Sequence, residues 1–413
     1  PRWCASSACR TAWPEPGVNP PDRQAWALAL ALSLGAAVSL GITRFAYGLL
    51  LPAMRSDLGW SYTLAGAMNT ANALGYFLGA LATPWLMRRH GPAVLLWGGA
   101  ALASGFMGLS GFFVDAQALL LQRLLAGVAS ALVFIAGGLL AARLGARYPR
   151  HSGLLLGMYY GGTGLGIVLS ALLVPWLLEL TQAQPHGWRW AWWVLALACA
   201  LASAVLRWPA RVMAAQEAPA TALGSGPRRF HWGDFAFGLA GYTLFGVGYI
   251  GYMTFVVALL RAQGAGVGAI TVFYALLGLA VVASGRIWAA LLDRHRTGRP
   301  LATLNALLGV ATVLPALTQW WPVVLASGLL FGGVFLSVVA STTALVRHNL
   351  PPAAWAAGIS AFTTVFAAGQ IVGPTVVGWI ADGPGGLARG LLFSAAALWL
   401  GAALASRQKA LSA

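Results

Sequence analysis

The sequence predicts an all-α membrane protein with twelve transmembrane helices in two pseudo-symmetric bundles of six. Three observations support this prediction. First, 59% of the 413 residues are hydrophobic and only 8% are charged, whereas a soluble domain carries roughly 25% charged residues. Second, the apolar residues form runs that suit helices, because crossing ~30 Å of hydrocarbon takes ~20 residues. Third, the two halves of the chain repeat each other.

Each predicted helix is an apolar run bounded by Gly, Pro or Arg. Backbone groups in hydrocarbon must be hydrogen-bonded within the segment, so each run is expected to be helical. An outer-membrane barrel would instead show short alternating strands, and we therefore expect a multi-pass protein of the bacterial inner membrane. The twelve runs, in order, are 26–54, 62–86, 92–114, 116–142, 152–178, 188–208, 233–260, 267–292, 300–318, 321–346, 353–381 and 388–406.

These runs define five segments of the chain. We expect 26–206 and 233–406 to be the two six-helix bundles, with a cytoplasmic linker at 207–232 between them. Residues 1–25 are predicted to be a disordered or non-native tail, and 407–413 a short cytoplasmic tail.

The distribution of Lys and Arg predicts the orientation. With a cytoplasmic N-terminus, the inside segments hold 18 of these residues and the outside loops hold 4, the other three lying within helices. Cytoplasmic loops are enriched in Lys and Arg, so both termini are expected in the cytoplasm. Because the positive residues are scattered between apolar runs, the net charge of +16 does not indicate a nucleic-acid partner.

An internal repeat indicates transport. When the sequence is aligned with itself at an offset of 205 residues, Arg88-Arg89-His90 aligns with Asp293-Arg294-His295. Parallel repeats of six helices enclose a site near the midplane and alternate its access by rocking, which predicts a carrier for a small solute. Along the first helix of each half and just beyond its end, the same offset superimposes Gly41 on Gly246, Tyr47 on Tyr252, Ala53 on Ala258 and Gly59 on Gly264.

Several motifs resemble those of the major facilitator superfamily, over residues 25–406. The loop after helix 2 keeps Arg89-x-Gly91 of the family's G-x-x-x-D-R-x-G-R pattern, and the second copy keeps Asp293-Arg294. Helix 4 carries Arg123-x-x-x-Gly127, and the stretch 44–55 is most similar to the YbfB/YjiJ-type branch. The resemblance implies the major facilitator fold, a transport role and a central cavity lined by helices 1, 4, 7 and 10. It implies no particular substrate.

Three arginines lie within predicted helices, where each costs ~2.5–3.5 kcal/mol at a central position. Arg44 and Arg123 are predicted at similar depth, so two guanidiniums facing one cavity would bind an anion. Alternatively, they bond helix carbonyls or pair with Asp57 or Asp115. Arg286 lies in the cytoplasmic half, where it snorkels or belongs to a gate. We assign the gating motif to Arg89, Gly91, Arg286, Asp293 and Arg294.

Polar side chains repeat along faces of the same helices. Residues at i, i+3 and i+7 share a helix face, which predicts a polar lining, although amides in lipid also join helices through hydrogen bonds. Gly-x-x-x-Gly patterns, including Gly75-x-x-x-Gly79 and Gly153-x-x-x-Gly157-x-x-x-Gly161, predict close helix packing. With the two arginines, the candidate substrate-binding residues are Arg44, Tyr47, Asn69, Asn72, Tyr76, Arg123, Tyr249, Tyr252 and Gln370.

The sequence offers little for other functions. All six His lie singly in loops and no nucleophile or nucleotide motif appears, so we expect no enzyme, no catalytic residues, no metal and no cofactor. No acid occupies a helix centre, which disfavours organic cations and leaves proton symport, exchange and facilitated diffusion open. We expect a monomer whose partners are a small-molecule substrate, the lipid bilayer and, in coupled transport, protons. Export of hydrophobic drug-like compounds and a non-transporting membrane receptor are the alternatives.

Overall fold

A computed structural model describes residues 22–148, 151–215 and 230–411, and the regular structure within these ranges is helical. Eleven helical segments of this described part are long and apolar enough to cross a membrane. The predictions for residues 1–21 and for 216–229 of the linker fall outside the described residues.

The helices are numbered α1 to α13 in chain order, and together they correspond to the predicted apolar runs. Their bounds are α1 Arg23–Ala36, α2 Tyr47–Leu58, α3 Tyr62–Ser110, α4 Ala116–Arg147, α5 Ser152–Leu180, α6 Trp188–Ala214, α7 Ala236–Ala262, α8 Val267–Ile287, α9 Ala289–Arg294, α10 Arg299–Leu317, α11 Trp321–Asn349, α12 Pro352–Asp382 and α13 Gly386–Ser406.

The first span is interrupted, whereas the sequence predicted one continuous helix. A π-helix at Ala37–Ile42 follows α1, and the turn 43–46 separates it from α2. The wider hydrogen bonds here include Thr43 N to the carbonyl of Val38 and Phe45 N to that of Leu40. Single π-turns inside helices are frequent at functional sites, because they free backbone groups from the regular ladder. The interruption places Arg44 on irregular backbone.

Helix α3 is 49 residues long and contains one non-helical residue, Gly91, with φ 76° and ψ 159°. A positive φ suits glycine, which has no Cβ, and the next residue, Pro92, is tolerated at the start of a helix. The loop predicted at 87–91 is therefore reduced to a single residue. Other helices exceed their predicted bounds: α6 continues to Ala214 and carries Arg207 and Arg211, which the sequence assigned to the linker.

The two halves of the chain pack their helices in corresponding ways. In the first half α1 and the π-helix pack on α5, and in the second half α7 packs on α12. A Cβ on Gly41 would meet the backbone of Gly166, and one on Gly246 would meet the backbone of Phe366. These residues are thus equivalent in contact as well as in sequence. Gly59 and Gly264, which follow the first helix of each half, both have positive φ.

Among the described residues, three helix pairs make the most extensive contacts between the halves: α2 with α7, α3 with α12, and α5 with α8. Close approach is concentrated where α3 begins and α12 ends, since a Cβ on Gly378 would touch the backbone of Tyr62. Along α5 and α8 the packing loosens. Gly164 is in contact with Gly278, whereas a Cβ on Gly157 would meet nothing within 4 Å. The two halves are therefore in close contact at the end that holds Tyr62 and Gly378, and they are farther apart toward the end that holds Gly157.

Candidate functional site

Arg44 occupies the interruption of the first span, and only 2% of its surface is exposed. Its guanidinium carbon lies 5.8 Å from the centroid of the Tyr76 ring. The adjacent Phe45 packs edge-on against Phe335 of α11, with 5.6 Å between the ring centroids. Arg44 thus lies where the first half of the chain meets the second.

The guanidinium of Arg44 has a free edge. Its Nε and Nη2 atoms are buried and have no hydrogen-bond partner among the described residues. These two nitrogens point their N–H groups in the same direction, which is the geometry that receives both oxygens of a carboxylate. The two acids considered for pairing are bonded elsewhere: Asp57 to His186 and Trp188, and Asp115 to the backbone N–H of Ala118. Arg44 is a buried cation without a counter-charge from either acid.

Arg123 is also buried, but its guanidinium is bonded within the first half. Nη1 donates to the carbonyl of Thr43 at 2.7 Å, and Nη2 donates to Oδ1 of Asn69 at 2.8 Å. Its guanidinium carbon lies 4.9 Å from the centroid of the Tyr47 ring. The alternative interpretation, bonding to a helix carbonyl, therefore describes Arg123, which holds the backbone beside Arg44. The two arginines are close enough to interact electrostatically.

Other predicted site residues connect helices. Asn69 donates to the hydroxyl of Thr254 on α7, and Asn72 donates to the backbone carbonyl of Arg123. Tyr47 donates to the carbonyl of Ala65 at 2.8 Å. In the second half, the equivalent residue Tyr252 shares a hydrogen bond with Ser327 at 2.7 Å and stacks on Phe331. These bonds satisfy polar groups that lipid would leave unpaired.

Tyr76, Tyr249 and Gln370 lie together beside Arg44. Tyr76 lies 5.8 Å from the Arg44 guanidinium, and Tyr249 stacks at 5.2 Å on Phe335, which packs on the neighbouring Phe45. Tyr249 donates to Oε1 of Gln370 at 2.7 Å, so α7 and α12 hold the tyrosine in place. The structure thus brings together four predicted residues: Arg44, Tyr76, Tyr249 and Gln370.

Aromatic side chains of the second half line this region, and most were absent from the sequence-based candidates. Their rings stack nearly parallel, with interplanar angles of 11° to 21° and centroid distances of 4.8 to 5.5 Å. The signal available in the sequence was the i, i+3, i+7 spacing of three of them on α7. We call this group the aromatic stack: Tyr242, Phe245, Tyr249, Phe335 and Phe366.

The predicted gating residues lie away from Arg44. Arg89 and Arg286 are exposed, and the guanidinium of Arg89 lies 5.8 Å from the Trp85 ring centroid. Gly91 forms the turn within α3. Asp293 lines a cavity of about 200 Å³ with Arg347, His348 and Trp355, and its neighbour Arg294 ends α9. Their role in gating stays a prediction.

Two residues that the sequence did not single out as site residues connect the halves. Tyr274 on α8 donates to the carbonyl of Phe45 at 2.8 Å, within the interruption of the first span. Asp382, at the end of α12, accepts hydrogen bonds from the backbone N–H groups of Tyr62 and Thr63. These two contacts depend on how the two halves pack against each other, and the periodicity of the individual helices does not predict that packing.

A larger cavity, of about 470 Å³, lies elsewhere, between α3 and α6. It is lined mainly by small residues, with Ser104 and Ser203 in its wall and Arg207 stacked over Trp97 at 5.1 Å. Its lining shares no residue with the group around Arg44. Because that group contains the buried unpartnered charge and contacts from both halves, we place the candidate site there. Among the described residues, no three His, Cys, Asp or Glu side chains are arranged to hold a metal.

Comparisons with known proteins agree with this architecture. The family described as "Uncharacterised MFS-type transporter YbfB" matches residues 36–406. A bacterial homologue of the human lysosomal transporter Spinster, inward-facing and occupied, has 16% identity and a TM-score of 0.69, covering 95% of this chain and 98% of that one. The nucleoside transporter NupG has 13% identity and a TM-score of 0.67, covering 92% and 98%. None of the curated proteins compared is a match.

Proposed function

The chain belongs to the major facilitator superfamily, in the family of YbfB-type transporters, and on that premise we propose that it carries a small organic anion across the bacterial inner membrane. Family membership makes it a transporter and not an enzyme. The substrate is placed beside Arg44, between the two halves of the chain.

The free edge of Arg44 is the observation that supports an anion. A buried donor without a partner costs about 1–3 kcal/mol, and more when the group is charged. Nε and Nη2 of Arg44 both lack a partner among the described residues, so these residues leave the cost uncompensated. A carboxylate bound at this edge would satisfy both nitrogens and neutralise the charge. Arg123 would contribute positive potential and hold the Thr43 carbonyl, rather than contact the substrate.

The proposed membrane arrangement has twelve spans. At 1.5 Å per residue, a helix of the length of α3 would extend about 70 Å, more than twice the ~30 Å of hydrocarbon. We therefore assign a separate crossing to each segment of α3 on either side of Gly91. The even number agrees with the Lys and Arg distribution, which favours two cytoplasmic termini. Six spans then precede the linker and six follow it.

The proposed transport cycle is alternating access between two six-helix bundles. Contacts between the halves near Tyr62 and Asp382 support a state closed at that end, which the charge distribution assigns to the outside. The loosened packing between α5 and α8 beyond Gly164 supports access from the cytoplasmic end. Rocking of the halves against each other would close the cytoplasmic end and open the outer end.

Counterflow in proteoliposomes tests the proposal. The probes are benzoate, succinate and gluconate as anions, glucose as a neutral solute and tetraphenylphosphonium as a cation. We expect saturable exchange of at least one anion by the wild-type protein. The exchange rate should fall at least tenfold in Arg44→Gln, which corresponds to a loss of about 1.4 kcal/mol of interaction with the anion. Arg207→Gln is the matched control, because Arg207 also lies over an aromatic ring but is exposed and remote from the site.

Export of a hydrophobic drug-like compound is the second candidate, favoured by the aromatic stack. Exchange of tetraphenylphosphonium alone, unchanged in Arg44→Gln, would replace the anion proposal with this one. Binding of an anion without exchange would instead support a receptor.

A further inference from the structure

The surroundings of Arg44 are aromatic on both sides of the interface. Tyr249 packs in one cluster with Phe245 and Phe366, whose ring centroids lie 4.8 Å and 5.5 Å away. On the opposite side Tyr76 lies 5.8 Å from the guanidinium of Arg44. Arg44 is thus beside Tyr76, and the stack reaches the residue next to it, because Phe335 packs on both Phe45 and Tyr249.

The first half contributes a second group of rings. Tyr160 on α5 packs against Phe134 of α4, with ring centroids 5.6 Å apart. Tyr160 also contacts Tyr159, with ring centroids 5.3 Å apart. These rings lie on α4 and α5 and most of the aromatic stack lies on α7 and α12; α5, α7 and α12 each contact the other half of the chain.

Rings of both halves retain accessible surface. Tyr160 of the first half and Phe366 of the second are half-buried, whereas Tyr249 is only 2% exposed. Phe366 lies 4.9 Å from Tyr242 and 5.3 Å from Phe245, with nearly parallel planes. A flat ligand can therefore pack on Phe366 while the rings behind it keep that face in position.

We propose that the substrate is an aromatic carboxylate, an inference that rests on the proposed function and narrows its substrate class. The carboxylate binds Nε and Nη2 of Arg44. The ring lies between Tyr76 and the exposed part of the aromatic stack, where Phe366 determines specificity.

The physical basis is the geometry of aromatic pairs. Rings prefer offset-stacked or edge-to-face contacts at centroid distances of about 4.5–7 Å, and each such pair adds about 2- to 12-fold in affinity beyond the area buried. A saturated ring of similar size buries a similar area but lacks the additional affinity that an aromatic pair provides. An aromatic acid should therefore bind more tightly than its saturated counterpart.

Isothermal titration of the purified full-length protein with benzoate and cyclohexanecarboxylate tests the inference. The two acids share charge and ring size and differ in aromaticity. We expect wild-type protein to bind benzoate at least about fivefold more tightly. Phe366→Leu should reduce this ratio to below about twofold while retaining cyclohexanecarboxylate binding, and Arg44→Gln should weaken both acids at least tenfold.

Phe112→Leu is the matched control, because Phe112 is 66% exposed and its ring contacts Trp193. This variant should keep the wild-type ratio. Equal affinity of wild-type protein for both acids would overturn the aromatic inference and leave the anion proposal intact. Absence of binding by either acid would also overturn it, and exchange of succinate or gluconate would then decide the proposed function. The wild-type ratio answers the question even if Phe366→Leu fails to fold.

Discussion

The carboxylate of Asp382 holds Thr63 through two hydrogen bonds, at 2.8 Å from Oδ2 to the backbone nitrogen and 2.6 Å to the hydroxyl. Its other oxygen accepts from the backbone N–H of Tyr62 at 2.7 Å. These donors belong to the first turn of α3, whose N–H groups have no partner within the helix. A residue of the second half thus caps a helix of the first half.

We predict that Asp382→Asn favours separation of the halves at this end. Asn keeps one acceptor oxygen for donors that now use two, so at least one hydrogen bond is lost at a cost of about 0.5–1.5 kcal/mol, and the separated fraction should rise about 2- to 12-fold. The measurement is double electron–electron resonance between spin labels at Ser56→Cys and Pro384→Cys, with the native cysteines replaced.

Asp115→Asn is the control for this experiment. Asp115 caps α4 through the N–H of Ala118 at 2.9 Å, within one half. It should leave the distance distribution unchanged. A shift of equal size in both variants would contradict the proposed role of Asp382.

The two buried arginines should respond oppositely when replaced by glutamine. Arg123→Gln removes charge-assisted hydrogen bonds to Thr43 and Asn69, so we expect a loss of about 2–4 kcal/mol and a lower midpoint of thermal unfolding in detergent. Arg44→Gln removes a cation whose Nε and Nη2 lack partners, so the midpoint should stay the same or rise. An equally large decrease in both variants would mean that Arg44 is structural.

We predict that Tyr274→Phe loosens the interruption of the first span. The hydroxyl of Tyr274 bonds the carbonyl of Phe45, and its loss leaves a buried acceptor unpaired at a cost of about 1–3 kcal/mol. Amide hydrogen exchange in residues 43–50 should become faster. Tyr159→Phe is the control, since Tyr159 donates to the carbonyl of Phe134 within the first half. Unchanged exchange in Tyr274→Phe would exclude this role.

Alanine substitutions along α5 should distinguish the end where the halves meet from the end where they diverge. A Cβ on Gly164 would collide with the carbonyl of Gly278 on α8. Overpacking of this kind costs about 1–3 kcal/mol, so Gly164→Ala should lower the unfolding midpoint and slow counterflow. Gly157→Ala should have little effect, since a Cβ there meets nothing within 4 Å. Similar losses in both would show that α5 and α8 also pack at Gly157.

The sequence predicted the helices well because apolar length is a local property. It also identified Arg44 and Arg123 as charges that need an explanation. It did not predict which of them is bonded, because Arg123 reaches the carbonyl of Thr43, which lies in the turn that interrupts the first span.

The glycine patterns show the same limit. Close packing was confirmed at Gly75, where a Cβ would meet the backbone of Leu124, but was wrong at Gly153 and Gly157, where a Cβ would have open space. On α5 the close contacts fall instead at Gly162, Gly164 and Gly166. A glycine spacing marks a face that permits close approach, and the placement of the neighbouring helix decides whether that approach occurs.

The single-residue turn at Gly91 links distant parts of the protein mechanically. Consecutive Cα atoms across a trans peptide are 3.8 Å apart, so the two segments of α3 have almost no slack between them. When the hydrogen bonds between Asp382 and the start of α3 break, the segment of α3 before Gly91 cannot tilt without displacing the segment after Gly91. The segment after Gly91 packs against α6. The two segments would then move together, so that a movement at one face of the membrane is transmitted to the other face.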